Sequence, residues 1–156
     1  MNPASLANRI REVILNGKWI ANTNLREQIT GLSLEIAQKK VGSHNSIAAL
    51  SFHTHYYLSG VLRALETGVL DIKDQYSFDM PDLIDERAWV EMQQKIWDDA
   101  EKFASFVQNM TPEQLNADFV NPKYGSVERN INAIIEHSYY HLGQIVLIRK
   151  LIGAQK

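Results

Sequence analysis

The sequence contains no cysteine, so the chain has no disulfide framework, no thiolate metal ligand and no cysteine nucleophile. Neither sign of charge dominates, because 16 basic residues stand against 18 acidic ones and the formal net charge is −2. Binding to nucleic acid or to an anionic membrane usually requires a strong basic field, and the composition therefore favours neither partner. Any metal bound by this chain must be held by nitrogen and oxygen atoms.

Long apolar runs are missing as well. No segment approaches the roughly 20 apolar residues that span a bilayer. The opening residues, MNPASLANRIREVILNG, lack the continuous apolar stretch of a signal peptide. We therefore expect a cytoplasmic protein. At 156 residues and 45% hydrophobic composition, the chain can bury one core and is too short for two ordinary domains, which predicts a single domain over residues 1–156.

Apolar residues recur at helical spacing in four segments, separated by residues that interrupt helices. The pattern predicts long helices over residues 4–16, 43–67, 85–109 and from 126 onward. Short helical turns are predicted after Asn24, Ser33 and Thr111, each of which is a good helix cap. Residues 69–84 contain Pro81 and scattered aspartates, which predicts a long connection. The fold class is therefore all-α: a four-helix bundle with long connections and short extra helices.

The five histidines, at positions 44, 53, 55, 137 and 141, are the most informative residues. His137 and His141 are one helical turn apart and point the same way. They lie on an aliphatic face, where burying each imidazole without a partner would cost about 1–3 kcal/mol. A shared metal ion would satisfy them, and neutral imidazole is a good ligand for Zn or Ni. Hydrogen bonds to neighbouring side chains or water are the alternative, and spacing alone does not decide between them.

A third ligand has to come from another helix, and the second long helix carries three candidates. His44 lies in its opening turn, where a capping or exposed role is expected. Residues two apart on a helix are separated by about 200°, so at most one of His53 and His55 faces the pair. His53 shares its strip with small residues such as Gly60, which would let another helix approach closely. This favours His53, and the other histidine would then lie on the surface or beside a ligand.

Two segments also resemble a known family. The final helix contains EHSYYHLGQIVLIRKLIG, which resembles the closing motif of the DinB/YfiT family of metal-dependent helical bundles, and NSIAALSFHTHYYLSGVL resembles that family's second helix. The similarity extends over nearly the whole chain, including YSFDMP and the tryptophan-led third helix. It implies a four-helix bundle, a homodimer and a three-histidine metal centre on His53, His137 and His141. His55 departs from the family pattern, in which a non-liganding polar residue is expected.

Three histidines leave at least one coordination position open, which is typical of a catalytic metal rather than a structural one. Such an ion can act as a Lewis acid or activate water or a thiol. The resemblance implies transfer of a low-molecular-weight thiol, or hydrolysis or isomerisation, with a small-molecule substrate. We therefore predict one divalent ion, Zn or Ni, in a metal-dependent enzyme. The alternative is a non-catalytic helical dimerisation or binding module with a structural or vestigial metal site.

Four further residues are candidates for support of the metal or for substrate binding. Gln144 and Tyr57 each lie one turn after a predicted ligand and would be able to orient it or a bound water. Their alternative roles are interhelical hydrogen bonding and core packing. Asp79 would accept a proton if the long connection folds over the site, and a solvated loop aspartate is the alternative. His55 is the fourth candidate.

Overall fold

The computed structural model describes residues 2–153, and over that range the chain is all-helical, without a β-strand. The helices are α1 (Pro3–Arg11), α2 (Leu25–Ile29), α3 (Leu34–Gln38), α4 (Ile47–Thr67), α5 (Glu86–Gln108), α6 (Pro112–Asn116) and α7 (Val127–Ile152). A π-helical turn, Glu12–Asn16, continues α1, and 3₁₀ turns lie at Asp74–Tyr76 and Pro122–Tyr124. The predicted all-α class is confirmed. Within the same range, no helix is both long and apolar enough to cross a membrane.

The capping residues predicted from the sequence, Asn24, Ser33 and Thr111, do cap their helices, and Asp85 and Ser126 cap α5 and α7 in the same way. Each side chain accepts a hydrogen bond from the backbone N–H three residues later, a contact that stabilises a helix by about 1 kcal/mol. The start of α4 differs from the prediction, because Ser46 is its cap. His44 therefore precedes the helix, and it is exposed as expected.

The longest helices surround a common hydrophobic core. Helix α1 packs on α5 and α7, and α4 packs on the same two helices. Each of the four contributes fully buried side chains, among them Leu6, Leu58, Trp89 and Ile131. Burial of one such side chain stabilises the fold by about 1.5–3 kcal/mol. The indole N–H of Trp89 donates to the carbonyl of Leu32 at 2.9 Å, so the largest core side chain leaves no polar atom unsatisfied.

The connection between α4 and α5 folds back onto α4. Ile72 packs so closely on Gly60 that a Cβ at position 60 would collide with its side chain. The Tyr56 hydroxyl donates to the carbonyl of Lys73 at 3.0 Å and accepts from the N–H of Lys73 at 2.9 Å. The small residue at position 60 was expected to admit another helix, and that expectation is wrong because it admits the connection. These contacts hold residues 72–73 of the connection against the middle of α4.

Candidate metal centre

Three imidazoles meet where the middle of α4 faces the middle of α7. The Nε2 atom of His137 lies 3.2 Å from Nε2 of His53 and 3.0 Å from Nε2 of His141. One nitrogen from each ring falls within 4.8 Å of the other two, and no other such cluster of histidine and acidic side chains is found within residues 2–153. The structure thus brings together the three predicted histidines and places His53, not His55, beside the α7 pair.

Hydrogen bonds fix the tautomers of two rings. Nδ1 of His53 lies 3.1 Å from the carbonyl oxygen of Ser77, and Nδ1 of His141 lies 2.7 Å from Oε1 of Gln144. A carbonyl oxygen only accepts, so both Nδ1 atoms carry a proton and donate it. The lone pair of each ring is therefore on Nε2, the atom that faces the other histidines. Histidine metal ligands are held in this way, with the distal N–H bound to a carbonyl or carboxylate.

His137 is the central ring and the least supported one. It is half-buried, and its Nδ1 atom is buried without a hydrogen-bond partner among the described residues. A proton on its Nε2 atom can be donated to only one of the two neighbouring lone pairs. Every neutral arrangement of the three rings therefore leaves a nitrogen unsatisfied, at a cost of about 1–3 kcal/mol. One cation between the Nε2 atoms would satisfy all three lone pairs, although the Nδ1–H group of His137 would still have no acceptor among the described residues.

Two of the three separations between ring nitrogens fit a metal ion. With Zn–N bonds of about 2.0–2.1 Å, tetrahedral geometry places two nitrogen ligands about 3.3 Å apart. Octahedral geometry with bonds of similar length places them about 3.0 Å apart. The observed Nε2 separations of 3.0 and 3.2 Å lie at these values. Three imidazoles without sulfur are a ligand set suited to Zn, Ni and related divalent ions.

Burial lowers the pKa of all three imidazoles. Desolvation is the largest cause for each ring, and repulsion from neighbouring rings adds to it for His53 and His137. The pKa of His137 falls to about 4. Hydrogen bonds to Ser77 and Gln144 act in the opposite direction on the other two rings. For His137 the result is a neutral ring near pH 7, which is the state that a metal ligand requires.

The connection between α4 and α5 covers His53. Besides the Ser77 carbonyl, it contributes Phe78, whose ring stacks on His53 with centroids 4.0 Å apart. Ser77 is buried, whereas Phe78 remains partly exposed. Sequence reasoning missed both residues. Ser77 acts through its backbone, which any residue type would provide, and the YSFDMP segment was noted only for its family resemblance.

The other two candidates for support of the metal, Tyr57 and Asp79, lie in different surroundings. The Tyr57 ring forms T-shaped contacts with His53 and His137, with centroids 5.1 and 5.0 Å apart, and its hydroxyl donates to Asp74 at 2.8 Å. Asp79 is exposed. The connection folds over the site, as the predicted role of Asp79 requires. The acidic residue that contacts Tyr57 beside the imidazoles is Asp74 instead, which was not predicted from the sequence.

His55 lies away from the cluster. Its Nε2 atom is 2.7 Å from Oδ2 of Asp99 on α5, and the side chain is buried. Burial lowers the pKa of His55, although the hydrogen bond to Asp99 opposes this change. The expectation of a surface residue or a neighbour of the ligands is wrong, because His55 joins α4 to α5 instead.

No protein-family model, curated protein or solved structure matches this chain. The imidazole cluster is therefore the feature of the molecule that indicates a function.

Proposed function

We propose that His53, His137 and His141 bind one divalent metal ion, Zn or Ni, in an enzyme that acts on a small molecule. The observation that carries the proposal is the convergence of one nitrogen from each ring within 4.8 Å, with two of the three Nε2 separations at values that fit one ion. Two of these rings are already held in the ligating tautomer by Ser77 and Gln144. Such preorganisation is typical of a metal site.

When bound, such an ion would supply Lewis acidity, which lowers the pKa of water or of a thiol toward neutrality. Because the chain has no cysteine, a reacting thiol would have to come from a low-molecular-weight substrate. We therefore propose thiol transfer or hydrolysis as the reaction class. Three protein ligands leave room for that substrate beside the imidazoles.

Residues around the cluster have distinct proposed roles. Phe78 shields one face of His53 from water. Tyr57 donates its hydroxyl proton to Asp74, so its oxygen retains lone pairs that can accept a hydrogen bond from a substrate.

The chain is further proposed to be a four-helix bundle of the DinB/YfiT type that forms a homodimer in the cytoplasm. The HSYYHLGQ segment of α7 and the FHTHYY segment of α4 support this assignment, because three of the histidines they carry, His53, His137 and His141, lie together. The homodimer and the location depend on the resemblance and on the sequence analysis alone.

A structural metal in a non-catalytic dimerisation module is the second candidate. It is favoured by the burial of His53 and His141, which are 8% and 6% exposed. An ion at this place would link α4 to α7 and, at a free concentration of 100 times its Kd, would stabilise the fold by about 2.7 kcal/mol. The two candidates differ in whether an added ligand can reach the metal.

Metal content tests the centre itself. Protein purified without a histidine tag is loaded with Zn²⁺ or Ni²⁺ and analysed by inductively coupled plasma mass spectrometry. We expect one ion per chain in the wild type and in His55→Gln, and loss of the ion in His53→Gln and His141→Gln. The same substitution at His55 is the matched control, because glutamine can still donate to Asp99. A wild type that takes up no metal would contradict the proposal.

Coordination separates the two candidates. Co²⁺-loaded protein is titrated with 2-mercaptoethanol while its absorption spectrum is recorded. A new sulfur-to-cobalt band in the near ultraviolet would show an accessible coordination position and support the catalytic role. An unchanged spectrum would favour the structural role.

A further inference from the structure

A cleft opens beside the imidazole cluster, between the start of α4 and the second half of α7. Its volume is about 310 Å³. The apolar residues that line it are Leu50, Leu147, Ile148 and Leu151. The polar residues that line it are Ser43, His44, Asn45 and Gln144. Small-molecule sites have volumes of roughly 300–1,000 Å³ with a mainly apolar lining and a few polar groups, and this cleft belongs at the small end of that range.

Gln144 belongs to both the cleft and the imidazole cluster. Its Oε1 atom accepts the hydrogen bond from Nδ1 of His141 at 2.7 Å, and the same side chain lines the cleft. A molecule in the cleft would therefore contact the residue that sets the tautomer of His141. Only one side chain separates the cleft from a proposed metal ligand.

The lining is unsuited to a charged ligand. Among the described residues that form it, none is Lys, Arg, Asp or Glu. A charged group entering the cleft would lose hydration without gaining an ionic partner. The polar groups are a hydroxyl, an imidazole and two amides, which both donate and accept hydrogen bonds.

We infer that this cleft binds an uncharged, amphipathic small molecule. Its aliphatic part packs on the leucines and Ile148, and its hydrogen-bonding group meets Asn45, Ser43 or Gln144. Leu147 and Leu151 are 57% and 58% exposed, and such a molecule would cover them. Its identity as the substrate of the metal centre rests on the proposed function. Its binding to the cleft does not depend on that function.

Three probes with the same eight-carbon chain test the inference: octanamide, octanoate and octylammonium. Binding of each to wild-type protein, first metal-free and then Co²⁺-loaded, is measured by isothermal titration calorimetry. We expect octanamide to bind and both charged probes to bind at least about tenfold more weakly, because they lose hydration in the cleft. Co²⁺ absorption should change on addition of octanamide, because contact with Gln144 alters the His141 ligand.

Matched variants locate the binding site. Leu147→Asp places a charge in the cleft and should abolish octanamide binding. Val90→Asp is the control, because Val90 is equally exposed, at 58%, but lies on α5 outside the cleft. It should leave binding unchanged. Circular dichroism melting curves verify that both variants are folded.

The inference is overturned if no probe binds, if the charged probes bind as well as octanamide, or if Val90→Asp weakens binding as much as Leu147→Asp. A stable dimer in sedimentation that Leu147→Asp converts to monomer would also overturn it, since a second copy would then cover the cleft. Octanamide binding without a change in Co²⁺ absorption would refute its role as a substrate analogue. If octanamide binds but the protein takes up no metal, the proposed function is refuted and the inference about the cleft stands.

Discussion

Oε1 of Gln144 lies 2.7 Å from Nδ1 of His141 and thereby sets which nitrogen of that ring is available to a metal. The carbonyl of Ser77 has the same effect on His53. The two supports come from different parts of the chain, since Gln144 is one turn along α7 and Ser77 is in the connection before α5. Each can be perturbed separately.

Replacement of Gln144 by alanine should weaken metal binding. Loss of the acceptor frees the tautomer and orientation of His141, and such losses reduce metal affinity by about 10- to 100-fold. Competition with a chromophoric chelator measures the change. Gln144→Glu retains an acceptor and should keep the affinity, and Gln94→Ala on the exposed surface of α5 is the control. Equal affinity of Gln144→Ala and the wild type would show that the hydrogen bond does not orient His141.

Histidines 137 and 55 should respond differently to replacement by leucine in metal-free protein. His137→Leu removes an Nδ1 atom that has no hydrogen-bond partner among the described residues, but it also removes the Nε2 partner of His53 and His141, so the two effects oppose each other and the free energy of unfolding should change little. His55 is paired with Asp99, and its removal should destabilise the fold by about 1–3 kcal/mol. Urea unfolding in the presence of EDTA measures both. Destabilisation by His137→Leu equal to that by His55→Leu would contradict the assignment of an unsatisfied site.

The two helical glycines should also behave oppositely when replaced by alanine. A Cβ at Gly60 collides with Ile72, so Gly60→Ala should displace the connection that carries Ser77, destabilise the fold by about 1–3 kcal/mol and weaken metal binding. A Cβ at Gly143 meets no atom within 4 Å, so Gly143→Ala should stabilise α7 by about 0.5–1 kcal/mol.

A second substitution tests the cause of this effect. Ile72→Ala makes room for the new methyl group, so the double variant Gly60→Ala/Ile72→Ala should recover most of the metal affinity. Recovery is measured by the same chelator competition. If the double variant binds metal no better than Gly60→Ala, the collision is not the cause.

The ion pair between Arg11 and Glu101 should contribute a pH-dependent stabilisation. The shortest N–O separation is 2.6 Å, and the hydrogen bond from Arg11 lowers the pKa of Glu101 from its ordinary value of 4.5. The contribution is therefore present above that value and is lost as the pH falls through the lowered pKa. Glu101 is 51% exposed, so Glu101→Gln should cost only about 0.2–1 kcal/mol near pH 7.

Urea unfolding of wild type and Glu101→Gln between pH 7 and pH 2 measures this contribution. The difference in the free energy of unfolding should shrink below pH 4.5 and vanish once the carboxyl group is protonated in both states. A difference that grows as the pH falls would contradict the lowered pKa.

The helices and the α7 histidine pair could be predicted because they depend on local rules. Caps such as Asp85 and Ser126 act within one turn, and the four-residue spacing of His137 and His141 places them on one face of any helix. His53 was favoured over His55 because of small neighbours such as Gly60, but Gly60 faces Ile72 of the connection and not another helix, so local rules did not supply a valid reason for that choice. Within the helices, local sequence determines geometry.

The remainder of the site depends on contacts between distant parts of the chain. The partner of His55 is Asp99, 44 positions away, and no spacing rule connects them. The path of residues 69–84 depends on the fit of Ile72 against Gly60. The π-helical turn Glu12–Asn16 was also missed, since apolar spacing over residues 4–16 is the same for a regular helix. Gly17 N–H closes this turn onto the Glu12 carbonyl at 3.2 Å.

Because Ser77 supports His53 through its main chain, replacing its side chain will not remove this contact. An alanine scan keeps the carbonyl oxygen at position 77, and a family of related sequences would be free to vary the residue there while its atom stays in place. Only a change to the backbone itself, such as an ester in place of the amide between residues 77 and 78, weakens that acceptor. Position 77 can therefore support a proposed metal ligand and still vary freely in residue type among related sequences.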